Sequence, residues 1–303
     1  MDLGSVKVVV YFVLFLNYIF MNTGASQADA AILVVNSTRG EFETGFENGG
    51  QTREHAMLLR SLVFTFLKVI LFYLDKYFKA IILAYYDDMA FTLDSFTAPQ
   101  RMSDGPLRIV VNDATTNQLS LSGKIESGEV EAGDKVYIMP NADAAIIKAC
   151  SNDDGGSVES CIAGDQTLLT LSGTFEPDTI HAGHVIVRGG QDTLLPGRRY
   201  TARVVVFDVT VPIMKGTKAE LYCHSLCEPC TVIKLISSIN KANGKVLKER
   251  PRCLTKSMSG LVEIETDYEV AIEPYTNCRA LGRITLRAGG QTIAAGIIEK
   301  KIT

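Results

Sequence analysis

The chain has 303 residues, 47% of them hydrophobic and 21% charged, with a net charge of -4. That length holds two or three domains. The near balance of charge excludes a generally basic nucleic-acid or membrane-surface binder, so any RNA contact has to come from a local patch. Seven cysteines, an odd number without even spacing, sit in a chain large enough to need no covalent staples, and read as reduced thiols of a cytosolic protein.

Val8 to Leu16 is an uncharged apolar run preceded by Lys7, and Ala28-Asp29-Ala30 has the form of a small-x-small cleavage site. This is the pattern of a secretory signal, and the run is short for a membrane span of about 20 residues. Ala31-Ile32-Leu33-Val34-Val35 then predicts a strand buried on both faces of a parallel sheet. A Gly-rich polar loop is expected from Ser37 to Gly50. A helix is expected from Thr52, with a hydroxyl N-cap, Glu54 in the first turn and Ala56, Leu59, Leu62 and Val63 behind it. One βα unit is a fragment, because a parallel sheet needs several to bury itself. From Ser61 to Tyr86 the chain is apolar but interrupted by Lys68, Asp75, Lys76 and Lys79, a density that argues against a transmembrane helix and for amphipathic helices.

After Pro99 and Pro106 the period changes. Gly128 and Gly133 mark turns around a short segment, Val136 and Ile138 alternate inward on the next strand, and Val185-Ile186-Val187 forms another strand after His181-Ala182-Gly183-His184. Many short strands with regular glycine turns predict a small closed β-barrel. A second all-β zone starts near Pro196. Arg203 to Val211 reads as a long strand ended by Pro212. Asn243-Gly244 predicts a type I′ hairpin between Leu235–Ile239 and Lys245–Leu247, and Ala288-Gly289-Gly290-Gln291 predicts another.

Gly40-Glu41-Phe42-Glu43-Thr44-Gly45-Phe46, followed by Gly49-Gly50-Gln51-Thr52-Arg53-Glu54-His55-Ala56, resembles the segment after switch II in eukaryotic elongation factor 1-alpha and its relatives. The resemblance runs from about Thr23 through Ser61 and resumes from about Asp94 to the end. Within that superfamily, Pro212-Ile213-Met214-Lys215-Gly216, Glu228-Pro229, Leu254-Thr255-Lys256 and Gln291-Thr292-Ile293-Ala294-Ala295-Gly296 resemble the ribosome-rescue GTPase partnered by Pelota, the HBS-one-like branch. The resemblance implies a mainly β chain. Two small β-barrels, residues 95–190 and 196–303 (elongation-factor domains 2 and 3), follow an α/β remnant of a P-loop GTPase domain at 1–94. Asn112 to Ser122 is shorter than the family's equivalent and lacks its glycine.

The family's chemistry needs a phosphate-cradling Gly-x-x-x-x-Gly-Lys-Ser/Thr, a switch Asp-x-x-Gly and a guanine-reading Asn-Lys-x-Asp. The first occurs nowhere in this sequence. Asp153-Asp154-Gly155-Gly156 matches the second by letter but lies in a barrel loop, and Asn240-Lys241-Ala242-Asn243 ends in the wrong residue inside a hairpin. His55 sits on the helix after switch II, away from the water-positioning site, and is expected to pack locally. No catalytic residue is assigned, and neither GTP nor magnesium, the family's cofactors, is expected to bind. Cys223-His224-x-x-Cys227-x-x-Cys230 has soft ligands at high density, yet the flanking Leu221-Tyr222 and Val232-Ile233 are strand texture. Alternation there would throw Cys223 and His224 to opposite faces, and no zinc is expected. His181-x-x-His184, around a turn glycine, is a weaker candidate still.

Partner contacts are expected instead. Lys245, Lys248, Arg250 and Arg252, with Lys241 and Lys256, flank the second barrel's hairpin and suit rRNA phosphates or an acidic protein surface; the alternative is a solvated hairpin face. Arg283, Arg287, Gly289, Gly290, Gln291 and Thr292 occupy the loop that in related factors lies near the tRNA or its protein mimic. The resemblance implies binding to a Pelota-like protein and to the small ribosomal subunit, as a monomer or heterodimer, in the cytoplasm, without DNA or membrane. The hydrophobic N-terminus leaves a signal or anchor as the alternative location. A second functional expectation is an intact GTP-hydrolysing rescue, termination or elongation factor of which this sequence is a part.

Overall fold

The computed structural model describes residues 8–12, 30–36, 40–47, 50, 52–53, 67–72, 101–115, 120–152, 155–173, 176–190, 193–207, 211–240 and 245–302. The chain divides into two units, residues 1–100 and 101–303. In the first, strands β1 (Val8–Phe12), β2 (Ala30–Asn36) and β3 (Leu67–Phe72) form a parallel sheet in the order β1-β2-β3. The strand expected at Ala31–Val35 is its centre. Three expectations are corrected. The signal-like run contributes β1. The supposed loop contains a short helix, α1 (Glu41–Phe46), because Glu43 reaches back to cap the Gly40 N–H at 2.6 Å. The stretch read as amphipathic helix contains β3, whose β-branched Val69 and Ile70 suit a strand. Thr52 and Arg53 are helical; His55 and most of the expected helix lie outside the described residues.

The second unit holds two closed barrels. The first is built from β4 (Arg108–Thr115), β5 (Ser120–Ser127), β6 (Glu129–Glu131), β7 (Lys135–Met139), β8 (Asp143–Asn152), β9 (Ser157–Val158), β10 (Ser160–Ile162), β11 (Gln166–Gly173) and β12 (Val185–Arg188). The ring runs β11-β5-β4-β12-β7-β8 and closes through β8 against β11. Gly128 and Gly133 fall in the turns either side of β6, as the sequence predicts. Val136 and Ile138 face a core shared with Ile109, Ile125, Ile147 and Leu169, while Tyr137 points out.

The second barrel uses β13 (Gly197–Val206), β14 (Ile213–Met214), β15 (Lys218–Cys223), β16 (Leu226–Ile239), β17 (Val246–Glu249), β18 (Cys253–Leu254), β19 (Ser259–Val270), β20 (Arg283–Ala288) and β21 (Gln291–Lys301). Its ring is β15-β20-β21-β13-β19-β16, closed by β15 against β16, with β17 added outside β16. The strand placed at Arg203–Val211 is β13, which starts at Gly197 and stops at Val206. Buried Tyr200 ties down that early start, its hydroxyl lying 2.9 Å from the Gly197 carbonyl and 2.8 Å from the Val270 carbonyl, which share its one proton.

A strand of a free-standing barrel alternates buried and exposed residues, but Arg108-Ile109-Val110-Val111 and Val185-Ile186-Val187 are buried throughout. Ile109, Val111 and Ile186 fill the first core. Val110, Val185 and Val187 face outward and pack with Met139 and Leu194 against Ala271, Cys278 and Leu281 of the second barrel. Burying each large side chain contributes roughly 1.5–3 kcal/mol. Arg108 sits in the same joint. Its Nε donates to Glu273 Oε1 at 2.9 Å and its Nη2 to the same oxygen at 2.5 Å, while Nη1 donates to the Leu107 carbonyl. The two side chains are only 5% and 10% exposed. Nearby, Glu126 Oε1 lies 3.6 Å from Lys124 Nζ and 3.7 Å from His224 Nε2, and Ser225 donates to Asn112 at 2.7 Å. Gly183 approaches so closely that a Cβ there would stand 2.5 Å from the Leu226 Cα, so only glycine fits.

Two measurements check the joint. Removing one partner of a buried pair strands the other charge, which costs about 3–5 kcal/mol, whereas an apolar pair of similar volume recovers most of that. Glu273→Ala is expected to lower the unfolding free energy from urea titration by that amount and Arg108→Met/Glu273→Leu to restore most of it; equal loss in both would show that the pair's charge is immaterial. Burial and the adjacent His181 push the His184 imidazole down to about 4, against a weaker opposing pull from Asp143. Folding therefore keeps His184 neutral where the unfolded chain protonates it. The penalty is absent above pH 6.5 and grows toward pH 4, to roughly 3 kcal/mol at most. The urea midpoint should fall between pH 7.5 and 5, and fall less in His184→Gln; the same fall in both would assign the effect elsewhere. His224, pushed down chiefly by burial, adds in the same direction.

Candidate functional site

The antiparallel registers place the ends of the second barrel's strands. Cys223 pairs with Leu226, Gly197 with Val270 and Arg283 with Ile297 at one end. Val206 pairs with Ala294, Ile239 with Ser259 and Ala288 with Gln291 at the other. The first end docks on the first barrel. The distal end therefore gathers the 214–217 turn, the β16–β17 hairpin, the 255–258 turn and the β20–β21 hairpin.

This brings most of the sequence-predicted residues together. Lys245, Lys248, Arg250 and Arg252 are exposed on or beside β17, and Gly289, Gly290 and Gln291 are exposed at the β20–β21 tip. Gly289 and Gly290 have φ of 58° and 76°, which a two-residue type I′ turn demands of both central residues. Arg287 is held at the tip, donating from Nη2 to the Gly290 carbonyl, while Thr292 is buried. The β16–β17 hairpin lies where expected, but the Asn240 N–H donates to the Lys245 carbonyl at 2.9 Å, which leaves four residues between the strands and not the two of a type I′ turn; its tip, with Lys241 and Asn243-Gly244, lies outside the described residues.

Arg283 is the exception. It begins β20 at the joint end, about 13 Å along the strand from Arg287. It stacks over the Tyr275 ring at 5.2 Å and donates to the Tyr275 hydroxyl at 3.0 Å, and burial pushes its guanidinium down to about 10. It is thus held half-buried against Tyr275 at the joint end, apart from the other residues of the expected contact loop. Lys215 and Lys218, exposed in and after the 214–217 turn, belong to the distal end but were not singled out. Lys218 pairs with Thr231 of β16, and β17 pairs with Ser237 to Ile239 further along the same strand, a relation that sequence spacing alone does not show. Among the described residues, Glu220 and Glu249 are the acids at this end. Along the barrel's side, by contrast, Arg199 pairs with Glu265 and Arg203 with Glu299.

The cysteine-rich segment is a β15–β16 hairpin, so alternation is broken at His224, which turns at φ 52°. Cys223 and Cys230 enter the second barrel's core, Cys227 is exposed, and His224 faces Glu126 of the first barrel. No cluster of three metal-ligating side chains exists among the described residues. His181 and His184 meet edge to face at 5.7 Å. The residues after β2 do not fit a nucleotide phosphate: the helix-start N–H of Gly40 is taken by the Glu43 carboxylate, which would repel one. Gly155 and Gly156 lie in the β8–β9 hairpin of the first barrel, far in sequence from that unit. No helix among the described residues is long and apolar enough to cross a membrane, and the described part of the signal-like run is strand.

The profile described as "GTP-eEF1A C-terminal domain-like" matches residues 199–299. Protein HBS1 of Drosophila melanogaster is 35% identical over 92% of this chain and 49% of its own length. The release factor GTP-binding subunit of Kluyveromyces lactis is 27% identical over 91% of this chain and 46% of its own. These matches make the chain similar to elongation-factor-type translational GTPases. It spans about half the length of the curated relatives it matches. Its identity is higher with HBS1 than with the release-factor subunit, in accord with the Pro-Ile-x-Lys-Gly segment. The fold agrees: sup35 complexed with GDP superposes with a TM-score of 0.62 at 24% identity, over 93% of this chain and 81% of that one. SelB from Methanococcus maripaludis with a GTP analogue gives 0.69 at 14% identity, over 93% and 67%.

Proposed function

We propose that this chain is the docking portion of a ribosome-rescue factor, binding a Pelota-class protein and the small ribosomal subunit without turning over GTP itself. The observation that carries this reading is the basic distal end of the second barrel, presented on a two-barrel body by a buried joint. Positive charge concentrated on one end of a chain of net charge -4 suits phosphates or an acidic protein face. In a pull-down, the full chain should retain a Pelota-class protein and small subunits at low salt. Lys215→Glu/Lys256→Glu should reduce that retention about tenfold without moving the thermal midpoint. Retention unaffected by charge reversal would contradict the distal end as the contact.

A second reading is that these residues belong to an intact GTP-hydrolysing factor, which the half-length coverage of the relatives favours. It is separated from the first by transcript sequence across this region, where reads encoding a phosphate-binding loop and Asn-Lys-x-Asp would favour it; the first reading is tested by titrating the chain with a fluorescent GTP analogue. The first reading expects no saturable binding, because neither a phosphate-binding lysine loop nor Asn-Lys-x-Asp is in the sequence. Micromolar affinity would contradict it.

A further inference from the structure

The strand β17 lies at the edge of its sheet: β16 covers one side, and no strand among the described residues covers the other. All four of its residues are exposed, including Val246 at 57% and Leu247 at 64%. An open edge offers a row of backbone donors and acceptors, and adjacent exposed apolar residues make it adhesive. Charges on an edge commonly serve only to repel another copy. Here that explains Lys248 but leaves Val246 and Leu247 exposed without purpose.

From this we infer that β17 is a strand-addition site for an extended acidic segment of a partner protein. The inference rests on the reading of the distal end as a partner surface and specifies how part of it is used. β17 carries a bulge at Leu247: Val246 pairs with Ile239 and Lys248 with Ser238, so Val246 and Glu249 share one face of β17 and Lys248 lies on the other. Arg250 follows, its backbone N–H returning to the Ile236 carbonyl at 2.8 Å, and Arg252 stands exposed beyond it. The complementary segment has two adjacent large apolar residues, to meet Val246 and Leu247. An acid follows to meet Lys248, then a polar residue beside Glu249 and a second acid near Arg250. Backbone pairing supplies affinity and these pockets supply selectivity.

The test is fluorescence anisotropy of the full chain with a labelled peptide, Thr-Val-Ile-Glu-Thr-Glu-Thr. Controls are a scrambled peptide and one with proline in place of isoleucine, and ten-residue polyuridine serves as competitor. The expected result is saturable binding that weakens at least tenfold with the proline peptide, with Leu247→Ser and with Lys248→Glu/Arg250→Glu. All three substituted positions are exposed, and an unchanged circular dichroism spectrum confirms the fold. Equal binding of the scrambled and proline peptides would overturn the inference in favour of bare charge attraction. Tighter binding and displacement by polyuridine would overturn it in favour of RNA, and absence of binding by the folded chain would overturn it outright. Pelota retention that survives Leu247→Ser would remove this inference alone; retention lost through Lys215→Glu/Lys256→Glu bears on the broader reading.

Discussion

Two ions facing each other inside a protein are tolerated only when each satisfies the other, and Arg108 with Glu273 meets that condition across two separate barrels. The guanidinium spends three N–H donors, two on one carboxylate oxygen and one on its neighbour's carbonyl. Pulling the barrels apart would expose an apolar patch as well as two matched charges. Apolar burial supplies the driving force, and the polar contacts fix the registry, since a slip of one residue would leave both charges buried and unpaired. Ser225 with Asn112 repeats the device on a smaller scale, whereas Glu126 Oε1, 3.6 Å from Lys124 Nζ and 3.7 Å from His224 Nε2, reaches neither at hydrogen-bond distance.

That joint decides what the second barrel can do. A closed barrel has a side wall and two ends. The wall is neutralised by cross-strand pairs such as Arg199 with Glu265, and one end is consumed by docking. What remains is the distal end, where registry gathers turns far apart in sequence, and there, among the described residues, the basic ones outnumber Glu220 and Glu249. The surface is thus created by topology as much as by composition, and its direction relative to the first barrel is set by the joint.

Much of the architecture was legible. The inward positions Val136 and Ile138, the turns at Gly128 and Gly133 and the Gly289-Gly290 hairpin follow from alternation and from positive φ, which are local constraints. The joint was not read, although its signal was present. Three adjacent apolar residues at Val185–Val187 break the alternation of a half-exposed barrel strand and require a second buried face. The resemblance places Arg283 in one loop with Arg287, but a strand carries the four residues between them from one end of the barrel to the other. The helix at Glu41–Phe46 was missed because its cap comes from Glu43 reaching backward, not from a preceding hydroxyl. His224 was placed by alternation in a segment that is a hairpin turn.

The central claim is that the buried joint makes the two barrels one rigid body that presents the distal end in a fixed direction. It is tested most directly by a spin-label distance between Lys148→Cys on the first barrel and Lys248→Cys on β17, in the full chain with Cys227 and Cys253 replaced by serine. A single narrow distance distribution that broadens when Glu273 is replaced by alanine is the predicted result. A broad or two-peaked distribution with Glu273 intact would contradict it.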